Sequence, residues 1–421
     1  MTTSARPAAS AWLATAASWL TPQRIRAHAI LLALCLWGVC AVDFATPGLF
    51  DRALNIKFQD FLPFYVSAQL IDHGRATELY DQNTSADAMQ QIIHHPPGLT
   101  YLYGPQVALC FVPLAQLSFP TAARIWATLS LLIFFACTYL LWRACPTLHR
   151  YRATVFFSAL AFPPLYHVFV RGQISAPVLA CFTAAFLAFR ANHPWLAGVA
   201  LGFLVFKPQF LVAIPFILLL SGAWRVFTGL ALSALAQLTL ARICFGSTIM
   251  LTYFDTLLHS SRWISTAEPG SLAPIQMHSL RSFWTLLVPW PELSGPLYIL
   301  SSVVVIALAT ATWKSSHPLA LRFSALVLVA VLVNPHLFVY DLLVLAPVVM
   351  LLANWALTHL DRAASRTLGL LLYLVFISSL LGPLSRWTHL QLSVPLFIAL
   401  LWLLWKISIT TTTWQTLPLS E

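Results

Sequence analysis

Charge is scarce in this chain: only 9% of its 421 residues are Asp, Glu, Lys or Arg, and 13 of them are acidic. A water-soluble domain of that length cannot cover itself with so little polar material, so the soluble globular classes are excluded. Paired cysteines are lacking too. None of the seven (35, 40, 110, 137, 145, 181, 244) stands in a CxxC pair, which argues against a zinc site or a disulfide framework. The sequence has no GxGxxG or P-loop spacing to cradle a nucleotide, no HExxH, no GxSxG and no DxD pair for a metal. His94 and His95 are adjacent rather than one helical turn apart, so no metal and no cofactor are expected.

Hydrophobic residues, by contrast, make up 59% of the chain, with 16 tryptophans and a mean hydropathy of +0.79. Apolar runs recur from 29–44 to 390–407, and they are of helical length rather than the ten-residue alternation of a membrane barrel. The expected fold is an all-α polytopic membrane protein, one integral-membrane domain over 1–421 with about 12 transmembrane helices. The net charge of +10 falls mostly in short segments between apolar runs. It reads as a topology signal and as contact with anionic membrane lipids, not as nucleic-acid binding.

Two polar stretches interrupt the pattern, a first outer loop at 45–97 and a second at 246–295. If every apolar run crossed the membrane, Arg24 and Arg26 would face away from the Arg143–Arg152 cluster, against the positive-inside rule. The run 98–118 carries Pro105, Gln106, Pro113 and Gln116, content that suits a re-entrant segment better than a plain extra span. Treating it as re-entrant puts the basic clusters, a cytosolic arm at 1–28 and both termini on the cytosolic side. Asp60, Arg171, Gln173, Lys207, Gln209 and Asn334-Pro-His336 then share the opposite face, which suggests a cavity at the periplasmic boundary of the cytoplasmic membrane.

The stretch FQDFLPFYVSAQLIDHG, 58–74, is apolar on one side and too broken to span, so an interfacial helix is expected. Asp60 at its start either caps that helix or serves as a reactive carboxylate. Arg171 and Lys207 sit at inferred helix ends. They either snorkel toward the interface or hold a phosphate. Gln173 could hydrogen-bond a sugar hydroxyl or cap free backbone. Asn334-Pro335-His336 breaks an apolar run, as backbone lining a cavity does, or simply braces the break together with Tyr340 and Asp341.

The segments D60-F-x-x-F-Y-x-x-A68, G74-x-x-x-x-L-Y-D81, H95-P-P-G98, R171-G-Q-I-S-A-P, A197-G-x-x-L-G-x-x-x-x-K207-P-Q209 and N334-P-H-L-F-V-Y-D341 together resemble glycosyltransferase family 87. A looser likeness continues in Q276-M-H-S-L-R-S-F-W284. The resemblance implies a GT-C-type bundle with interfacial helices in the first outer loop. It implies transfer of a sugar, mannose in the relatives, from a polyprenyl-phosphate donor to a lipid or glycan acceptor. It assigns Asp60 as the general base. Tyr65, His95, Arg171, Gln173, Lys207, His278, His336 and Asp341 are the candidates for substrate binding. A secondary transporter or lipid flippase is the competing class; it would place its acids at mid-membrane and show inverted repeats.

Overall fold

The computed structural model describes residues 15–94, 99–265 and 273–410. Its apolar runs fold as helices because hydrocarbon offers backbone N–H and C=O groups no partner outside the chain. Helix α1 (Pro22–Ala45) begins at Thr21, whose hydroxyl accepts from the Arg24 N–H at 3.3 Å. Three short helices follow: α2 (Leu62–Asp72), α3 (Gln82–Ile93) and α4 (Pro105–Ala115). Next come α5 (Phe119–Arg143) and two helices that join at a bend of 41°, α6 (Arg152–Leu160) and α7 (Pro163–Arg171). They lead to α8 (Ser175–Arg190), α9 (Pro194–Gly202), α10 (Ile214–Leu220) and the long α11 (Trp224–Ser265), which kinks at Gly246 with φ +80°. The chain continues through α12 (Ala273–Gln276), α13 (Leu280–Leu287), α14 (Pro291–Lys314), α15 (Leu319–Leu332), α16 (Leu345–His359), α17 (Arg362–Ile377), α18 (Ser385–Thr388) and α19 (Ser393–Thr410).

Among the described residues six segments are individually long and apolar enough to cross a membrane, or seven when the bent pair counts as one span. The apolar helices α4, α8, α15 and α19 and the segments Pro194–Phe206 and Pro208–Leu220 are shorter than these, so six or seven spans, not about 12, meet the length and composition of a crossing helix. The chain is an all-helical, multi-pass membrane protein. Helix α4 has eleven residues, a rise of about 16 Å against a hydrocarbon core of about 30 Å. It packs on α2: Phe111 meets Phe61 and Phe64, and the Tyr65 hydroxyl donates to the Leu117 carbonyl at 2.6 Å.

Two apolar clusters organise the bundle. The larger centres on α15, which is buried all round from Phe323 to Leu332, as expected of a helix with no polar face. The smaller joins α2, α4 and the start of α5 through Phe61, Phe64, Phe111 and Trp126. Contacts also sort the charges. Thr154 donates to the Pro22 carbonyl at 3.4 Å, and Thr147 meets Asn354 and Thr358 at 3.0 and 2.8 Å. Arg24, Arg150, Arg152, Arg362 and Arg366 therefore gather at one end of the bundle. The turn after α7 and the start of α5 meet at the other end, where Trp126 Nε1 donates to the Gly172 carbonyl at 3.0 Å.

Residues 207–209 form the apex of a hairpin of short helices. Helix α9 ascends toward Lys207, α10 returns, and α11 then runs beside α9. The seam is closed by Gly198, Gly202 and Gly229: a Cβ on each would lie 2.1, 2.3 and 2.4 Å from a backbone oxygen of the facing helix. This is small-xxx-small packing, in which missing side chains let two backbones touch.

Candidate functional site

The site is built where the first loop meets the turn after α7. Phe58, in a left-handed conformation at φ 57°, donates its N–H to the Val170 carbonyl at 3.1 Å. Gly172 completes the joint at φ +72°, and a Cβ there would sit 2.7 Å from that of Phe61. These two tight points hold the 3-10 turn Gln59–Phe61, and with it Asp60, against Arg171-Gly-Gln173. Asp60 lies just ahead of α2, and the capping residue of α2 is Phe61, which makes no side-chain cap bond. Of the two roles open to Asp60 in the sequence, helix capping is thus not the one its side chain performs.

The Asp60 carboxylate accepts from Gln173 Nε2 at 3.2 Å, and Arg171 Nη1 lies 3.9 Å away. The carboxylate is 11% exposed and the guanidinium 24%, so both reach a surface without being freely solvated. Burial pushes the Asp60 pKa up; Arg171 and the hydrogen bonds from Gln173 and Gln59 pull it partly back. Gln173 is itself fixed, its Oε1 accepting from the Ile174 N–H at 3.1 Å and from the Tyr103 hydroxyl at 3.5 Å. Arg171 also donates to Gln276 Oε1 at 3.1 Å, which ties the second polar loop to the first.

Arg171 and Gln276 open onto a cavity of about 410 Å³ lined further by His167, His278, Ser379, Gly382, Arg386 and Trp387. His278 forms part of its floor. Its N–H donates to the Leu337 carbonyl at 2.9 Å, and Nδ1 is 2.8 Å from Ser393 Oγ. Burial pushes the His278 pKa down to about 3, so the ring is neutral at physiological pH. His336 lies nearby with its pKa pushed down to about 4, by burial first and by Arg281 second. Among the described residues His336 Nδ1 has no hydrogen-bond partner. Arg281 reaches the Pro335 carbonyl at 3.5 Å.

Lys207 and Asp341, both candidates for substrate contact, meet each other. The ammonium bonds Asp341 Oδ1 directly, with each side chain 1% exposed. Ser175 joins them, donating to Asp341 at 2.7 Å and accepting from Lys207 at 3.3 Å. The rings of Tyr340 and Phe210 stand 5.3 and 6.0 Å from the ammonium. A charge this deep survives only when paired and wrapped. The pair sits directly behind Gln173-Ile174-Ser175, the turn that presents Gln173 to Asp60. Tyr65 also turns away from the cavity, its hydroxyl stapling α2 to residue 117. His95 lies outside the described residues.

Asp60 and Gln173 thus meet each other beside Arg171, which lines the cavity with His278, while Lys207 and Asp341 pair behind the Gln173 turn. Sequence reasoning did not single out Tyr103, Ser175, His167, Ser393 or Arg386. Ser175 lies two residues after Gln173 in the run Arg171-Gly-Gln-Ile-Ser175, and its place in that run was a usable signal. Arg386 and Ser393 lie in the final third of the chain beside ordinary apolar runs, with no local pattern to mark them. Among the described residues no three His, Cys, Asp or Glu side chains gather as a metal site would require.

No curated protein and no solved structure matches the chain. The model of glycosyltransferase family 87 matches residues 101–335. That span runs from Tyr101 through Arg171, Gln173, Ser175, Lys207 and His278 to the Asn334-Pro335 break, more than half of the chain, and the protein is a membrane glycosyltransferase belonging to that family.

Proposed function

We propose that this protein is an inverting transferase that moves a hexose, mannose in the first instance, from a polyprenyl phosphate to a lipid or glycan acceptor. Asp60 is the general base in this reading. The observation that carries it is the pairing of Asp60 with Gln173 and with Arg171, whose guanidinium in turn lines a cavity together with Arg386 and His278. The acceptor hydroxyl attacks the anomeric carbon, and its proton passes to the Asp60 carboxylate. The bond from that carbon to the phosphate oxygen breaks, and the electron pair leaves on the phosphate, inverting the configuration. A raised pKa suits Asp60 to this task, since a carboxylate poised nearer neutrality takes a proton more readily. Arg171 and Arg386 are the cations available to offset charge on the departing phosphate.

A lipid-borne donor keeps its tail in the bilayer, and a site at one end of the bundle suits that arrangement. The concentration of arginines at the opposite end supports placing the site on the outer face of the cytoplasmic membrane. The Lys207–Asp341–Ser175 cluster acts in this scheme as a brace that fixes the Gln173 turn. The deciding assay uses purified protein, radiolabelled polyprenyl-phosphate mannose and membrane lipids as acceptor. Transfer by the wild type that is lost in Asp60→Asn, with thermal midpoint retained, supports the assignment. Undiminished transfer in that variant removes Asp60 as the base, and no transfer by the wild type removes this donor.

A further inference from the structure

A second cavity lies away from the one that Arg171 lines. A groove of about 1070 Å³ runs between α1, α6, α16 and α17, with Arg150, Arg362 and Arg366 at one end and Leu372, Phe376 and Ile377 toward the other. Arg362 and Ile377 bound α17, so this wall extends about 22 Å along the helix axis. That is close to one leaflet of a bilayer, taking a hydrocarbon core of about 30 Å plus headgroups. The three arginines are exposed and make no ion pair among the described residues.

Gly369 supplies a second, independent observation. It lies inside α17, where glycine costs about 1 kcal/mol relative to alanine. At Gly198, Gly202 and Gly229 a facing backbone explains the missing side chain. At Gly369 a Cβ would meet nothing within 4 Å, and the residue lines the groove instead. Its missing side chain therefore widens the groove rather than admitting another helix.

We propose that this groove is a binding site for an anionic glycerophospholipid, its phosphate on Arg150, Arg362 and Arg366 and an acyl chain along α17 past Gly369. The charge pattern selects this occupant over a polyprenyl tail. A polyprenyl phosphate carries its only charge beside the reacting sugar, and its far end is pure hydrocarbon, which gives three arginines nothing to bind. A basic pocket between membrane helices at the arginine-rich end matches an anionic headgroup. The bound lipid would fill the seam between α1 and α17, which otherwise touch at His28 and Tyr373, 3.2 Å apart.

The test is thermal unfolding and native mass spectrometry of the full-length, delipidated protein with added phosphatidylglycerol, phosphatidylcholine or undecaprenyl phosphate. Phosphatidylglycerol is expected to raise the midpoint and stay bound with a preference on the order of tenfold over phosphatidylcholine. Arg362→Gln/Arg366→Gln should lose the preference and keep the wild-type midpoint in phosphatidylcholine. Gly369→Phe projects a ring into the groove from a position where a Cβ meets nothing within 4 Å, so it should lose the bound lipid while keeping the wild-type midpoint in phosphatidylcholine. Equal binding of phosphatidylglycerol and phosphatidylcholine overturns the proposal, as does a phosphatidylglycerol preference that survives Gly369→Phe. Stronger retention of undecaprenyl phosphate, abolished by Gly369→Phe, assigns the groove to a monophosphate lipid and overturns it equally.

Discussion

At the scale of single residues, Asp60 and the Lys207–Asp341 pair show opposite uses of a buried charge. Burial outweighs the help Asp60 receives from Arg171 and Gln173, so its pKa stands above the ordinary carboxylate value. An acid whose folded pKa is raised gives its full stabilisation below the unfolded value and loses it as pH climbs through the folded value. Asp60→Asn removes an ionised group that costs stability at neutral pH. Its thermal midpoint should equal or exceed wild type at pH 7.5, and the difference should shrink on acidification. Transfer activity in the same variant should fall on the order of 100- to 10,000-fold. Lys207→Met has the reverse stability effect, because it leaves Asp341 buried with Ser175 and the Phe338 N–H as its remaining partners among the described residues. It should cost about 3–5 kcal/mol, and Lys207→Met/Asp341→Leu should recover much of that loss. Guanidinium or thermal unfolding in detergent checks both variants. His278 sets a third expectation. Its pKa is about 3 when folded and about 6.5 when unfolded, so below pH 6.5 the unfolded chain takes up a proton that the folded chain does not. Stability should fall as pH drops from about 6.5 toward 3, by up to about 1.4 kcal/mol per unit. His278→Gln should flatten that slope in a midpoint-against-pH series.

At the scale of elements, the legible features were those written in composition over many residues. The long apolar runs became helices, and 58–74 was readable as a helix too short to span, whereas the burial of Leu62–Ala68 on nearly every side was not. Arg171, Gln173 and Asp60 stood out because polar groups are rare in such a chain. Partner choice was not legible. Lys207 and Asp341 are 134 positions apart, and no local spacing tells a cation that meets substrate from one that meets a distant carboxylate. Tyr65 likewise looked available until α4 folded back to place the Leu117 carbonyl within reach. Gly198 and Gly202 of α9 read as members of a family-like segment and Gly229 of α11 carried no signal, so their mechanical role needed the facing helix. That role yields a prediction at this scale. Gly198→Leu cannot be absorbed by a rotamer change, since the first added atom already meets a carbonyl oxygen at 2.1 Å. It should separate α9 from α11 and destabilise the protein by at least the about 1–3 kcal/mol of ordinary overpacking. Lys207, at the apex of the same hairpin, would shift with it, so transfer should fall even under conditions where the variant stays folded. Gly369→Ala, in open space on α17, is the matched control and should be neutral or mildly stabilising.

For the whole molecule, the distribution of charge is the feature that joins fold to function. Arginines gather at one end through contacts such as Thr154 with Pro22 and Thr147 with Thr358. Asp60, Arg171, Gln173, Gln276 and His278 gather at the other through the joints at Phe58, Gly172 and Leu337. A bundle polarised in this way has one favoured orientation, because each lysine or arginine resists translocation and interacts with the anionic cytoplasmic leaflet. The reaction proposed here needs the site to face outward, and the basic end needs to face inward; both demands are met by the same orientation. Single cysteines in a background free of the seven native ones test this directly. Asp87 lies on α3 beside the site loop and Arg150 at the basic end, and both are exposed. Asp87→Cys should be modified by a membrane-impermeant maleimide on intact spheroplasts, whereas Arg150→Cys should react only after the membrane is opened. Labelling of Arg150→Cys from outside would invert the orientation and put Asp60 on the cytoplasmic face. It would also place the lipid groove's basic mouth on the wrong leaflet for an anionic headgroup, so this one measurement bears on both the transfer reaction and the lipid site.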